Sequence, residues 1–302
     1  MRPTRTFKYI LAALINFSAT GIANAQHTPQ TEIFCGAELS YADVNFIRLY
    51  DVLINLTPSV KYHPGKGWTL SGQVFYPIVN QGYGKRNNML RLNMADISKE
   101  IHFSNARQHL KISAGLFGME RYGADIRWMF PVTSWLMIHS RLGITSHWAL
   151  GTDFKGSSES DLSTNGWSLM GLGGASIWLN PWATELRGQC GRYLNEDYGA
   201  EGEIIRHFRH VSVSLYLQRH QLATSIVGIT PHNTSGGFRV IMMLPPYSAS
   251  HRKVAVRPAS NFRLTYNAQA DGYSMKVYNT DPEENERTLP MDIPWGTGNS
   301  SR

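Results

Sequence analysis

A two-residue rhythm runs through most of this chain. Val211, Val213, Leu215 and Leu217 are apolar, while Ser212, Ser214, Tyr216 and Gln218 between them are polar or amphipathic. Successive side chains of a strand point to opposite faces, so such a segment has one oily face and one wet face. The pattern recurs, with turn residues between, from about residue 50 to about residue 245. A soluble core can bury one such face. Roughly ten segments of about ten residues each, behind an export signal, point instead to an outer-membrane β-barrel.

The N-terminus reads as that signal. Arg2, Arg5 and Lys8 form a positive region, Tyr9 to Thr20 is short and largely apolar, and Ala23-Asn24-Ala25 offers small residues before cleavage at Gln26. The apolar run falls short of the roughly 20 residues a spanning helix needs. Cys35 stands too far beyond it for a lipoprotein acylation site. Cleavage removes three positive charges, so the formal net charge falls from +7 to +4. That excess is modest and forms no Lys/Arg block, which argues against a nucleic-acid partner. Cys35 and Cys190 are the only cysteines. They allow one bridge after export, but no disulfide framework or CxxC metal pattern exists.

The expected organisation is a signal peptide at 1–25, an N-terminal leader with little pattern at 26–48, a barrel at 49–270 and a polar C-terminal tail at 271–302. Within the barrel, Val52, Ile54, Leu56, Val60 and Tyr62 share one face, opposite Asn55, Thr57 and Ser59. Leu136, Ile138, Leu142 and Ile144 likewise oppose His139, Arg141 and Thr145. The stretch 151–166 is rich in Ser, Asp and Gly and reads as a long loop outside the cell, with the Asn180-Pro181 turn on the periplasmic side. Tryptophans near strand ends, such as Trp128, Trp135, Trp167 and Trp182, suit interfacial girdles. The fold class expected is all-β, a transmembrane antiparallel up-and-down barrel of about 12 strands, since bacterial single-chain barrels use even numbers. The tail, with Asp281-Pro282-Glu283-Glu284, reads as a flexible or accessory segment.

The wet face supplies the lumen. Its expected lining includes Asp51, Lys61, Arg91, Lys111, Asp125, Arg127, His139, Arg141, Glu185 and Arg187. A mixed-charge lining can hydrogen-bond sugar hydroxyls, and it can equally close the barrel with internal salt bridges. His139 and His147 share a face with Arg141, and Asp125 falls on a neighbouring strand. A His–Asp pair with a serine supports esterase chemistry, but no nucleophile elbow accompanies them. The chain's 11 histidines show no metal spacing such as HExxH. No catalytic, cofactor-binding or metal residue is assigned.

Three stretches carry a resemblance: Gly115 to Trp128, Gly191-Arg192-Tyr193-Leu194-Asn195-Glu196-Asp197-Tyr198-Gly199-Ala200, and Gly237 to Pro245. They resemble the YjbH-like family of outer-membrane proteins linked to exopolysaccharide production, over roughly residues 110–245. In the second run the marked positions are Gly191, Arg192, Tyr193, Leu194, Asp197 and Gly199. Read physically, two glycines flank a turn with a polar tip, and Arg192 and Glu201 have parities that let them pair. The resemblance implies a non-catalytic barrel associated with making or exporting a surface polysaccharide. Its partners would be outer-membrane lipid, polysaccharide and other export-machinery proteins. Two alternatives stay open: a small-solute porin or barrel enzyme, and a soluble secreted β-sandwich that binds carbohydrate.

Overall fold

The computed structural model describes residues 30–42, 51–80, 85–103, 108–148, 167–222, 232–245, 253–268 and 275–283. The expected signal peptide and the loop at 151–166 lie outside the described residues.

Fourteen strands form one sheet. They are β1 (Thr31–Ala42), β2 (Asp51–Gly65), β3 (Trp68–Asn80), β4 (Arg91–Phe103), β5 (Gln108–Phe117), β6 (Arg121–Pro131) and β7 (Leu136–His147). Then follow β8 (Ser168–Leu179), β9 (Thr184–Arg192), β10 (Tyr198–His207), β11 (Val211–Gln221), β12 (His232–Met243), β13 (Val254–Pro258) and β14 (Asn261–Ala268). From β1 to β12 each strand pairs antiparallel with the next in sequence. The up-and-down all-β expectation therefore stands. No helix among the described residues is long and apolar enough to cross a membrane.

The strand number is 14, within two of the expected 12, and the two additional strands, β1 and β13, are the ones the pattern does not show. β1 lies inside the expected leader. Phe34 sits on its buried face, with Lys61 and Arg257 over the ring at 5.5 and 4.6 Å, and Gly36 and Ala37 blur the contrast between faces. β13 covers only five residues.

The hydrogen-bonded order is open. It begins at β13, which pairs parallel with β1, and ends at β14, which pairs antiparallel with β12. Only Ala259 and Ser260 separate these two strands in sequence. Ala259 N donates to Cys35 O of β1 at 2.9 Å, and Leu244 N, just past β12, donates to Ser260 O at 2.8 Å. β14 also touches β1.

The sheet's polarity is the reverse of a soluble core. Leu215 is 66% exposed, and Ile126, Leu142, Ile144, Leu169, Ile204 and Leu217 share that exposed character. Asn55, Ser59, Gln73, Lys111, Asp125, Arg127, Arg141, Glu201, Glu203 and Arg239 are buried. The alternation read from sequence thus assigns faces correctly on most strands, with Met94 and Ile101 of β4 as buried exceptions. It is the polar face that is enclosed.

The connections differ between the two ends of the sheet. At one end lie the short turns, such as Gly65-Lys66-Gly67, where all three residues have positive φ. Glycine fits there because it lacks the Cβ that makes such backbone costly. Asn180–Trp182 turns the chain at that same end. Most of the longer connections, including the one between β7 and β8, lie at the opposite end, where the β5–β6 turn is a short exception.

Candidate functional site

The C-terminal segment 275–283 runs along the buried face of the sheet. For these nine residues the packing replaces the reading of a flexible tail; the rest of 271–302 lies outside the described residues. It starts at the long-connection end, where Leu194 N donates to Lys276 O at 3.2 Å and Gly118 N to Asn279 O at 3.0 Å. Met275, Val277 and Tyr278 pack there with Phe117, Met170, Leu172, Tyr193 and Leu194 into one buried apolar cluster. Phe117 and Tyr278 stack with ring centroids 5.3 Å apart.

Two strand glycines make room for the segment. A Cβ on Gly143 would collide with the Tyr278 hydroxyl, and one on Gly199 would collide with Met275 Sδ. A side chain at either position forces the segment's own side chain to shift.

Further along, the segment meets charge. Tyr278 Oη donates to Asp125 Oδ2 at 2.8 Å, and Arg141 Nη2 donates to Tyr278 O at 2.8 Å. Arg127 Nη2 donates to Thr280 Oγ1 at 2.8 Å. Asp125 itself is held by Arg141 at 2.7 Å and Arg127 at 3.1 Å. Near the short-turn end Asp281 pairs with Lys61 at 2.7 Å and Lys111 at 3.5 Å. Gln73 Nε2 donates to Pro282 O at 3.0 Å. Glu283 accepts from Arg257 at 2.8 Å and from Ser260 N at 2.7 Å, and Arg257 also holds Glu32 of β1 at 2.6 Å. Glu283 thus binds the end of β13 and the residue before β14.

Burial pushes the Asp281 carboxyl up, but Lys61 and Lys111 outweigh it and hold the group well below its ordinary range. Burial likewise opposes ionisation of Glu283, and Arg257 and Lys61 draw it down to about 2.

A second buried network involves β9 to β12. Arg239 pairs with Glu201 at 3.0 Å and Glu203 at 2.9 Å and lies 4.0 Å from the Tyr216 ring centroid. Arg187 pairs with Glu185 at 2.9 Å and approaches Glu203 at 3.8 Å. His207 Nε2 lies 3.2 Å from Glu185.

Of the expected lining, Lys61, Lys111, Asp125, Arg127, Arg141, Glu185 and Arg187 all enter these networks. Arg91 is half-buried at the long-connection end, bonded to Asn87 and over the Phe75 ring. It borders a polar cavity of about 310 Å³ together with Asn93, Arg121, Asn195 and Lys276. His139 is buried. The side chain of Asp51 lies outside the described residues. The esterase constellation does not assemble: Asp125 is engaged by two arginines and a tyrosine, and His147 faces Glu120 at 3.4 Å.

The family-like run is the collar of the segment. Tyr193, Leu194 and Asp197 are buried, Leu194 O accepts from Ser168, and Gly191 has φ +147°. The suggested Arg192–Glu201 pair is not formed. Arg192 bonds Glu196 four residues on at 3.0 Å, leaving Glu201 to Arg239. Cys35 and Cys190 are both free and exposed.

The expected lining omits Glu201, Glu203, Arg239, Arg257 and the whole segment 275–283, although parity sets Glu201 inside beside Arg192. Strand parity could have found the first three, because Arg239 stands between Phe238 and Val240 on the wet side. Nothing periodic marks the last. The fold and its interior define a class: a mostly antiparallel all-β sheet whose charged buried face is occupied by the chain's own segment 275–283. No family model matches the chain, and no curated protein matches it.

Proposed function

We propose that the chain spans the outer membrane as a β-barrel sealed by its own C-terminal segment, and that it serves surface-polysaccharide production as a non-catalytic scaffold rather than an open passage. One observation carries the sealed reading: 275–283 is tied into the polar face from end to end by Tyr278–Asp125, Lys61–Asp281 and Arg257–Glu283. A barrel placement is supported by apolar side chains exposed on nearly every strand and polar ones enclosed. Closure is supported by β13 and β14, successive halves of one run that pair with the first and twelfth strands. An open sheet edge does not survive in hydrocarbon, where every backbone group needs a partner.

The polysaccharide role rests on the resemblance of 115–128, 191–200 and 237–245 to the YjbH-like family. Export by the N-terminal signal and partners in the export machinery belong to the same reading. A buried mixed-charge interior favours the scaffold over a small-solute porin, since the charges are spent on one another and on the segment.

Planar-bilayer recording of the intact chain tests sealing, with no steady conductance expected. An open channel in the intact chain at neutral pH overturns the scaffold reading. Membrane fractionation tests placement, and material that stays soluble without detergent overturns it. Deletion of the gene, scored for surface polysaccharide and restored by the intact chain, tests the role.

A further inference from the structure

A cluster of potential metal ligands stands at the short-turn end. His102 on β4 and His109 on β5 are directly opposite in the antiparallel register. Residues so placed have Cβ atoms about 4.5–5.5 Å apart, and here the ring centroids are 4.5 Å apart. Glu100 precedes His102 by two positions, so alternation puts both on one face. Its Oε2 lies 4.0 Å from His102 Nε2 and 3.6 Å from His109 Nε2. One ligand atom from each of the three residues lies within 4.8 Å of the others. Lys111 approaches the other oxygen, Glu100 Oε1, at 3.8 Å, which leaves Oε2 turned to the imidazoles.

We propose that Glu100, His102 and His109 bind a divalent transition-metal ion of the zinc class. Two imidazole nitrogens and one carboxylate oxygen are a donor set zinc accepts with a fourth position left to water. Bonds of about 2.0–2.1 Å in a tetrahedron put donors roughly 3.3 Å apart. The Glu100 oxygen is within a few tenths of an ångström of that spacing from one histidine and somewhat farther from the other, and the imidazole nitrogens lie within 4.8 Å of each other, so side-chain rotations are needed to draw the three donors together. The ligands sit on two adjacent strands whose register fixes the backbone. The site needs no sequence motif of close spacing, because the hairpin supplies the proximity. It does not depend on the membrane or polysaccharide reading.

The test is a calorimetric titration of Zn²⁺ into the folded, untagged full chain, with Co²⁺ as a spectroscopic probe. One saturable equivalent per chain is expected, with a tetrahedral visible spectrum for Co²⁺. His102→Ala and His109→Ala should each weaken binding by at least the roughly tenfold that loss of an outer-shell partner costs. Glu100→Gln keeps the side-chain shape and should weaken it similarly, which covers the case in which a histidine variant fails to fold. His232→Ala, at the exposed start of β12 and outside the cluster, should leave binding unchanged. Absence of a saturable site in the wild type, or undiminished affinity in folded Glu100→Gln and His102→Ala chains, overturns the proposal.

Discussion

Tyr278 donates its phenolic hydrogen to Asp125 at 2.8 Å across 153 residues of sequence. The acceptor is 1% exposed and already carries Arg127 and Arg141. The C-terminal segment therefore completes a buried charge cluster on β6 and β7 and does not merely cover it.

Removing that hydroxyl should register. Tyr278→Phe keeps the ring stacked on Phe117 and deletes one hydrogen bond to a charged group, a loss of about 1.5–3 kcal/mol. Urea unfolding of the reconstituted protein measures it, and an unchanged midpoint would show that the segment is not seated on Asp125.

Gly143 and Tyr278 should be energetically coupled. Gly143→Ala puts a Cβ where the phenol lies, so it should destabilise the wild-type chain and do far less harm in a Tyr278→Ala background. A double-mutant cycle should return a coupling of about 0.5–3 kcal/mol. Additive effects would separate the two sites.

Acid should loosen the segment. Glu283 is drawn from an ordinary value of 4.5 to about 2, and Asp281 is also lowered. A depressed carboxyl gives a contribution that is full above its ordinary value and lost as pH falls through its lowered one. Conductance absent at neutral pH should therefore appear as pH drops from about 4.5 toward about 2. A chain ending at residue 274 should conduct at neutral pH.

Arg239 holds two buried carboxylates, Glu201 and Glu203. Arg239→Ala strands both without that cation and should cost about 3–5 kcal/mol, the usual penalty for breaking a buried pair from one side. Loss of heat-modifiable gel migration is the rapid readout, and urea unfolding gives the size.

On the proposed placement, Leu215 and Leu217 meet lipid. Leu215→Arg should impair insertion and cost about 2–4 kcal/mol if the position is near the membrane midplane. Normal insertion and stability of this variant would count against the membrane-spanning placement.

The sequence by itself determined which residues share a face. Alternation is local, so the run from Val211 to Gln218 declares its two sides without reference to any other strand. It likewise marked Lys61, Lys111, Asp125, Arg127, Arg141, Glu185 and Arg187 as one side's charges. It missed β1, where Phe34 breaks the polarity, and β13, which is too short to show a period. Only the tertiary structure decided which charge meets which. Arg192 was within reach of Glu201 by parity, yet register delivered Glu201 to Arg239 and the local turn delivered Arg192 to Glu196. The path of 275–283 was decided at the same level. An extended segment with no repeat of its own is positioned wholly by distant partners, and those partners come together only when the strands are laid side by side.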